Sequence, residues 1–133
     1  MNSGKSCAEV TVVQGDACTC TSTSSYIGVA RPMLDVNAVS VLRSADFWGL
    51  GSGSGKLWHN GSGRAWQVIE PYSTGDVLRL LLDSAAGTLA VKKNSTLLGV
   101  AVTEGLTCDL CWAMCSFHMG DSVRIKAVDP AEF

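Results

Sequence analysis

Short stretches of alternating apolar and polar residues recur along this 133-residue chain. Near the start, Ala8, Val10 and Val12 fall on one face, whereas Glu9 and Thr11 fall on the other. A period of two is typical of a β-strand with one buried face. Similar stretches follow at intervals of about a dozen residues, which favours a sandwich or barrel of roughly eight or nine short strands. No stretch carries a helical apolar stripe with capping residues.

Turn residues separate the predicted strands. Asn60-Gly61 predicts a turn that closes the strand 56–59, and Asn94-Ser95 predicts a turn between the strands 88–93 and 96–103. After the second of these turns, Leu98, Val100 and Val102 are predicted to share one face. The predicted strands, in chain order, span residues 7–14, 26–30, 56–59, 77–83, 88–93, 96–103, 111–117 and 122–128.

The composition predicts one soluble domain over residues 1–133, with loose ends at 1–5 and 129–133. Single domains cluster around ~100–150 residues, and 47% apolar residues are enough for a core. The net charge is −2 and no run of one sign occurs, so we expect no binding to nucleic acid or to a membrane surface. The polar N-terminus lacks a secretory signal, which favours a cytoplasmic location.

Six cysteines raise the question of disulfides or a metal site. Reduced thiols are the expectation for a cytoplasmic chain with a sufficient core. The series Cys108, Cys111, Cys115 and His118 has spacings that occur in zinc sites. If residues 111–117 form a strand, however, Cys111 and Cys115 lie roughly 13 Å apart at ~3.3 Å per residue, too far for one metal ion. We therefore predict no metal and no cofactor.

Catalytic patterns are scarce in the sequence. It contains two histidines, His59 and His118, and no Gly-x-Ser-x-Gly elbow. The acidic residues Asp76 and Asp83 fall at opposite ends of one predicted strand, where they cannot act as a pair. The Gly/Ser-rich stretch 51–55 lacks the spacing of a phosphate-binding loop. We predict that the protein is not an enzyme.

Six ordered groups of residues resemble the motifs of the SPRY domain family. The early ones are Glu9-Val10, Ile27-Gly28-Val29-Ala30, and Trp48-Gly49 followed by Gly55-Lys56-Leu57-Trp58-His59. A Gly-Asp-Val strand entry and a double hairpin follow at Gly75-Asp76-Val77, Leu82-Asp83, Gly87-Thr88-Leu89, Lys93-Asn94 and Leu97-Leu98-Gly99-Val100-Ala101. Ser122-Val123-Arg124-Ile125 is similar to the closing strand.

This resemblance implies an all-β fold, an antiparallel β-sandwich of the SPRY, concanavalin-like jelly-roll architecture. The family's domain usually begins further upstream, with strands that pair to the edge of the sandwich, whereas the similarity here starts at about Lys5. The expectation is a sandwich that lacks its first strands or receives them from another chain. An unpaired edge of this kind favours strand addition.

The resemblance also implies a protein–protein interaction module that binds a short peptide or a surface loop of a partner. Such modules serve as the substrate-reading part of ubiquitin ligases or as signalling adaptors. In members that grip peptides, the contacts come from the loop after the Gly-Val-Ala strand and the loop before the last strand. The matching positions here are Arg31, Pro32, Asn37, Phe117, His118 and Met119. The positions of the family's gripping aromatics match Asn37 and His118, so the aromatic grip is missing here.

Two other functions fit the sequence. The chain could be a structural sandwich that forms a homodimer through an exposed sheet edge. It could also bind a small ligand or a carbohydrate, because concave sheets that carry tryptophans do so. The four tryptophans Trp48, Trp58, Trp66 and Trp112 are expected more often in the core or its rim than on a ligand platform.

Overall fold

The computed structural model describes residues 4–13, 25–32, 44–53, 55–64, 71–72, 75–106, 109–116 and 122–133. Within these ranges the chain forms ten strands and one short 3-10 helix, Pro130–Glu132. The strands are β1 (Lys5–Val13), β2 (Ser25–Ala30), β3 (Phe47–Gly51), β4 (Leu57–His59), β5 (Ser62–Arg64), β6 (Val77–Asp83), β7 (Thr88–Lys93), β8 (Thr96–Val102), β9 (Cys111–Ser116) and β10 (Ser122–Val128).

The described strands form two five-stranded antiparallel sheets. The first sheet has the order β10-β1-β6-β7-β8, and the second has the order β5-β4-β3-β2-β9. Non-consecutive neighbours, such as β1 beside β6 and β10, show that the connections cross between the two layers. The predicted antiparallel β-sandwich is confirmed. No described segment is a helix long and apolar enough to cross a membrane.

The core lies between the two sheets, where the alternating apolar residues meet. In β1, Val10 and Val12 are 2% and 1% exposed, as the period of two predicts. In β6, the same alternation buries Leu78, Leu80 and Leu82. Fully burying one such side chain contributes roughly 1.5–3 kcal/mol. The second sheet supplies its own inward row, which includes Ile27, Val29, Trp48, Leu50 and Leu57.

Two tight turns fix the register of the hairpins. Asn60 and Gly61 join β4 to β5 with φ values of 54° and 81°. Asn94 and Ser95 join β7 to β8 with φ values of 50° and 74°. Two successive positive φ values define the type I′ turn, whose twist matches that of antiparallel strands. Both turns were predicted from the sequence, and both are confirmed.

Strand β8 departs from the predicted alternation. Its pairing with β7 shifts register twice, so that Leu98 and Ala101 fall at irregular positions between paired residues. These shifts turn Ala101 into the core beside Val102, whereas Val100 is only half-buried. The prediction that Val100 shares the face of Leu98 and Val102 is therefore wrong, because bulges break a strict period of two.

A buried tyrosine, Tyr72, connects β2 and β3 of the second sheet. The Tyr72 hydroxyl lies 2.6 Å from the Leu50 carbonyl oxygen and 3.3 Å from that of Ser25. Its main-chain N–H donates to the Ser52 carbonyl at 2.9 Å. The side chain is 4% exposed, and burial raises its pKa well above the ordinary value. Tyr72 thus stays a neutral hydrogen-bond donor that holds β2 and β3 together.

At Gly28 of β2, the backbone lies very close to that of the neighbouring strand β3. A Cβ atom at this position would lie 1.9 Å from the Trp48 carbonyl oxygen. No side chain fits there without displacing a strand, so glycine is required for the pairing of Gly28 with Gly49.

The C-terminal residues, for which the sequence predicts a loose end, pack back onto the first sheet. Asp129 caps the 3-10 helix by accepting a hydrogen bond from the Ala131 N–H at 3.0 Å. The Lys92 ammonium lies 4.8 Å from the centroid of the Phe133 ring and donates to the Phe133 main-chain oxygen. Lys5, also in a predicted loose end, begins β1.

Candidate functional site

The sandwich has an opening on each of its two sides. On one side, the ends of β8 and β3–β5 surround a pocket of about 400 Å³, which we call the polar pocket. It is lined chiefly by Arg31, Trp48, His59, Arg64, Thr103 and Glu104. On the other side, an opening of about 150 Å³ lies between β9 and β10, which we call the apolar cleft. Of these two openings, only the polar pocket has a volume in the ~300–1,000 Å³ range that is usual for ligand pockets.

Arg31 is held in the polar pocket by three groups. It follows the last residue of β2, and its N–H donates to the Asp46 carbonyl at 2.8 Å. Its Nη1 donates to the Asp46 carboxylate at 3.1 Å and to the Ala45 carbonyl at 3.3 Å. The guanidinium carbon lies 4.9 Å from the centroid of the Trp48 ring. A guanidinium fixed in this way needs little ordering when a ligand binds.

Trp48 and His59 form the floor of the polar pocket. They are opposite each other in the β3–β4 pair, and their rings stack with centroids 4.5 Å apart and planes 6° apart. The His59 Nδ1 lies 2.9 Å from the Phe47 carbonyl oxygen. Because a carbonyl oxygen only accepts, Nδ1–H is the donor in this contact. The hydrogen bond fixes the orientation of the imidazole against Trp48.

Charges of both signs surround this floor. Arg31 and Arg64 contribute positive charge, and Asp46 and Glu104 contribute negative charge. Asp46 already pairs with Arg31, whose Nη1 makes the side-chain hydrogen bonds given above. A guanidinium has five N–H donors, so Nη2 and Nε of Arg31 can still donate to a carboxylate or a peptide carbonyl. The pocket thus presents both basic and acidic groups to a polar ligand.

Two of the predicted site residues lie at this pocket or beside it. Arg31 lines the pocket, and Pro32 follows as an exposed residue. The other predicted positions, Asn37, Phe117, His118 and Met119, lie outside the described residues. Ser116, the last residue of β9, is opposite Ser25 at the start of β2, whereas Arg31 follows the end of β2. Ser25 and Arg31 are six positions apart, which corresponds to roughly 20 Å at ~3.3 Å per residue.

Five of the chief lining residues of the polar pocket were not predicted as site residues, namely Trp48, His59, Arg64, Thr103 and Glu104. Trp48 and His59 belong to motifs that indicate the fold, and Trp48 was expected in the core or its rim rather than on a ligand platform. The Trp48–His59 stack depends on the β3–β4 register. Arg64 lies on β5, a strand without the apolar alternation that would have predicted it. Glu104 comes from the segment after β8, in the opposite sheet, and only the packing of the two layers brings it here.

The cysteines that the structure describes are free thiols. Cys7 is buried, Cys111 is exposed and Cys115 is half-buried. Burial raises the pKa of the Cys7 and Cys115 thiols, which disfavours the thiolate needed for nucleophilic attack or metal binding. Cys111 and Cys115 lie four residues apart in β9, which covers most of the predicted strand 111–117. Among the described residues, no three His, Cys, Asp or Glu side chains are close enough to hold a metal ion.

Comparison with solved structures identifies the type of fold. The chain is similar to the SPRY domain of human HERC1, with a TM-score of 0.70 and 22% sequence identity. The match covers 97% of this chain and 77% of that one. No family model and no curated protein matches the sequence. The chain therefore has a SPRY-like fold, and the resemblance seen in the sequence motifs is confirmed at the level of the fold.

Proposed function

We propose that this chain is a protein-interaction module that binds a short peptide or a surface loop of a partner protein in the polar pocket. The observation that carries the proposal is the arrangement of Arg31, Trp48 and His59, in which an ordered cation lies against an aromatic stack at the mouth of a rigid sandwich. Rigid scaffolds with polar openings bind with little conformational cost.

The chemistry of the polar pocket favours an acidic or amide-bearing peptide segment. The remaining donors of Arg31, together with Arg64, suit a carboxylate or carbonyl oxygen. The half-buried His59 ring suits a planar peptide group or a flat side chain. Trp48 is only 6% exposed and contacts both Arg31 and His59, so little of its ring remains to stack on a sugar. This burial favours a peptide over a carbohydrate.

The proposed role is binding without catalysis. His59 makes its side-chain hydrogen bond to a main-chain carbonyl, whereas a catalytic base is normally oriented by an acidic group. The wider role we propose is that of a substrate-reading part of a ubiquitin ligase or a signalling adaptor in the cytoplasm. Its support is the SPRY-like fold and the exposed free thiol of Cys111, which suits a reducing compartment.

A peptide-display selection against the purified chain tests this function. Peptides that bind the wild type are measured again with Arg31→Ala and, as a matched control, with Arg79→Ala on the outer face of β6. We expect Arg31→Ala to weaken binding by about tenfold or more, which is the effect of an interface hot spot. We expect Arg79→Ala to leave peptide binding unchanged. The proposal would be overturned if Arg31→Ala bound the selected peptides as tightly as the wild type, or if the selection yielded no binding peptide.

A further inference from the structure

The apolar cleft lies where both sheets end on the same side. Among the described strands, β10 ends the first sheet and β9 ends the second. Between them lie Val10, Ile27, Leu80, Trp112, Met114 and Val123, with Ile125 at the mouth. Ile125 is 54% exposed, which is an unusually high exposure for a large apolar residue that faces a core. The cleft is thus part of the core that the described residues leave open.

Strand β10 offers a main-chain template beside this cleft. It is seven residues long, and its described partner is β1, which lies on one side only. The unpaired edge of such a strand can hydrogen-bond to an extended segment from elsewhere. A segment added there would direct alternate side chains into the cleft, next to Val123 and Ile125.

Charge on the opposite face of β10 limits what can bind. Arg124 and Lys126 alternate with Val123 and Ile125, and both basic residues are exposed. Lys126 is opposite Glu9 of β1, but Glu9 also pairs with Arg79 at 3.7 Å. A neighbouring strand would place its own side chains opposite Arg124 and Lys126, and acidic residues at those positions would be favoured.

A second copy of this chain does not meet that requirement. If two β10 strands paired antiparallel about Ile125, Arg124 of one copy would be opposite Lys126 of the other, on both sides of the pair. Like charges directly opposite each other destabilise a strand pair. The charge pattern therefore disfavours a homodimer through β10 and favours a foreign acidic strand.

We propose that β10 accepts an extended segment of a partner protein as an added strand, in which acidic residues alternate with apolar ones. The acidic side chains face Arg124 and Lys126, and an apolar side chain enters the cleft. A cavity of about 150 Å³ matches one benzene-sized group. One large apolar anchor therefore fills it. This surface is separate from the polar pocket, so the two can be occupied independently.

The probe is a blocked peptide with the sequence Thr-Glu-Val-Glu-Leu-Glu-Val-Thr, and its control carries Lys in place of each Glu. Binding is followed by NMR chemical shifts, and hydrogen exchange of the β10 amides reports strand pairing. We expect the acidic peptide to bind and to slow exchange along β10. The Lys peptide should bind about tenfold more weakly or not at all, because it faces two basic residues.

A matched pair of variants, a charge-reversal double variant and Arg31→Ala locate the site. Ile125→Thr should weaken binding, whereas Leu97→Thr should not, since Leu97 is equally exposed at 59% but lies on β8 at the other edge of the sheet. The double variant Arg124→Glu with Lys126→Glu should reverse the preference between the two peptides. Arg31→Ala should leave binding unchanged, so failure here is separable from failure of the polar pocket.

Three results would overturn the proposal. One is equal binding of the acidic and Lys peptides, and another is binding that survives Ile125→Thr. The third is a concentration-dependent dimer that Ile125→Thr dissociates, since it would make a second copy the occupant.

Discussion

The indole of Trp48 and the imidazole of His59 stack face to face, with ring centroids 4.5 Å apart and planes 6° apart. The two residues are partners across β3 and β4, so the backbone register itself creates the stack. Arg31 then lies against Trp48 from the end of β2. Three neighbouring strands thereby place an aromatic stack and a cation at one opening of the sandwich.

Removing the imidazole should therefore affect both stability and binding. We expect His59→Ala to lower the free energy of unfolding by about 1 kcal/mol, the typical value of an aromatic pair. We also expect weaker peptide binding in the polar pocket. His59→Phe is the matched control, because it keeps a ring on Trp48 but loses the hydrogen bond to the Phe47 carbonyl. Urea unfolding and the near-ultraviolet circular dichroism of Trp48 measure the effect. If His59→Ala changed neither the stability nor the peptide binding, the stack would contribute to neither of them.

Neighbouring leucines in β8 test the assignment of its two faces. Leu98 is 4% exposed and belongs to the core, whereas Leu97 is 59% exposed. Leu98→Ala should cost about 2–5 kcal/mol through lost burial and the cavity left behind. Leu97→Ala should change stability by no more than about 0.5 kcal/mol. Chemical denaturation of both variants provides the comparison, and similar losses for the two would mean that the β8 register is wrong.

High pH should destabilise the fold through its tyrosines. Burial raises the pKa of Tyr72, and burial also raises that of Tyr26, with a smaller contribution from Cys115. In the unfolded chain both hydroxyls ionise near the ordinary value of 10.0. Above that pH the unfolded state therefore releases protons that the folded state keeps, and stability present below pH 10 is lost as the pH rises.

The contribution of Tyr72 to this loss can be isolated. One retained proton lowers the free energy of unfolding by ~1.4 kcal/mol per pH unit. Tyr72→Phe should remove this part of the slope above pH 10, and it should cost roughly 1–2 kcal/mol at neutral pH, because the Leu50 carbonyl loses its donor. Urea unfolding between pH 8 and pH 11 measures both effects. An unchanged slope in Tyr72→Phe would show that the hydroxyl titrates normally in the folded state.

Thiol reactivity tests the proposal of a reducing compartment. In denaturant, all six cysteines should react with dithionitrobenzoate without prior reduction. In the native protein, Cys111 should react quickly because it is exposed, whereas buried Cys7 should react slowly. Cys111→Ser should remove one equivalent from the fast phase, and Cys7→Ser should not. Fewer than six thiols in freshly purified protein would instead indicate disulfides.

The fold could be predicted from the sequence where a local pattern determines it. β1 alternates from Ala8 to Val12, and β6 is a nearly continuous apolar run of strand length. The turns at Asn60-Gly61 and Asn94-Ser95 carry their own conformational preference. β3 and β5 lack such a pattern, since all of β3 is buried and β5 is largely exposed, and neither was predicted as a strand. The bulges of β8 were missed because they depend on its pairing with β7.

The candidate site was less accessible from the sequence. Arg31 was named from its position after the Gly-Val-Ala strand, and it lines the polar pocket. Trp48 and Glu104, by contrast, come from different sheets and are 56 positions apart. No sequence spacing encodes their proximity, because it arises from the packing of two layers. The same is true of Trp112 and Ile125 at the apolar cleft.

Peptide binding in the polar pocket is tested most directly by an NMR titration of the isotope-labelled chain with a peptide from the display selection. We expect the largest shifts at the Trp48 indole N–H, the Arg31 side chain, and the amides of His59 and Glu104. Saturable shifts confined to these residues would place a partner peptide in the polar pocket. If the peptide bound without shifting Arg31 and Trp48, it would bind elsewhere and the proposed site would be wrong.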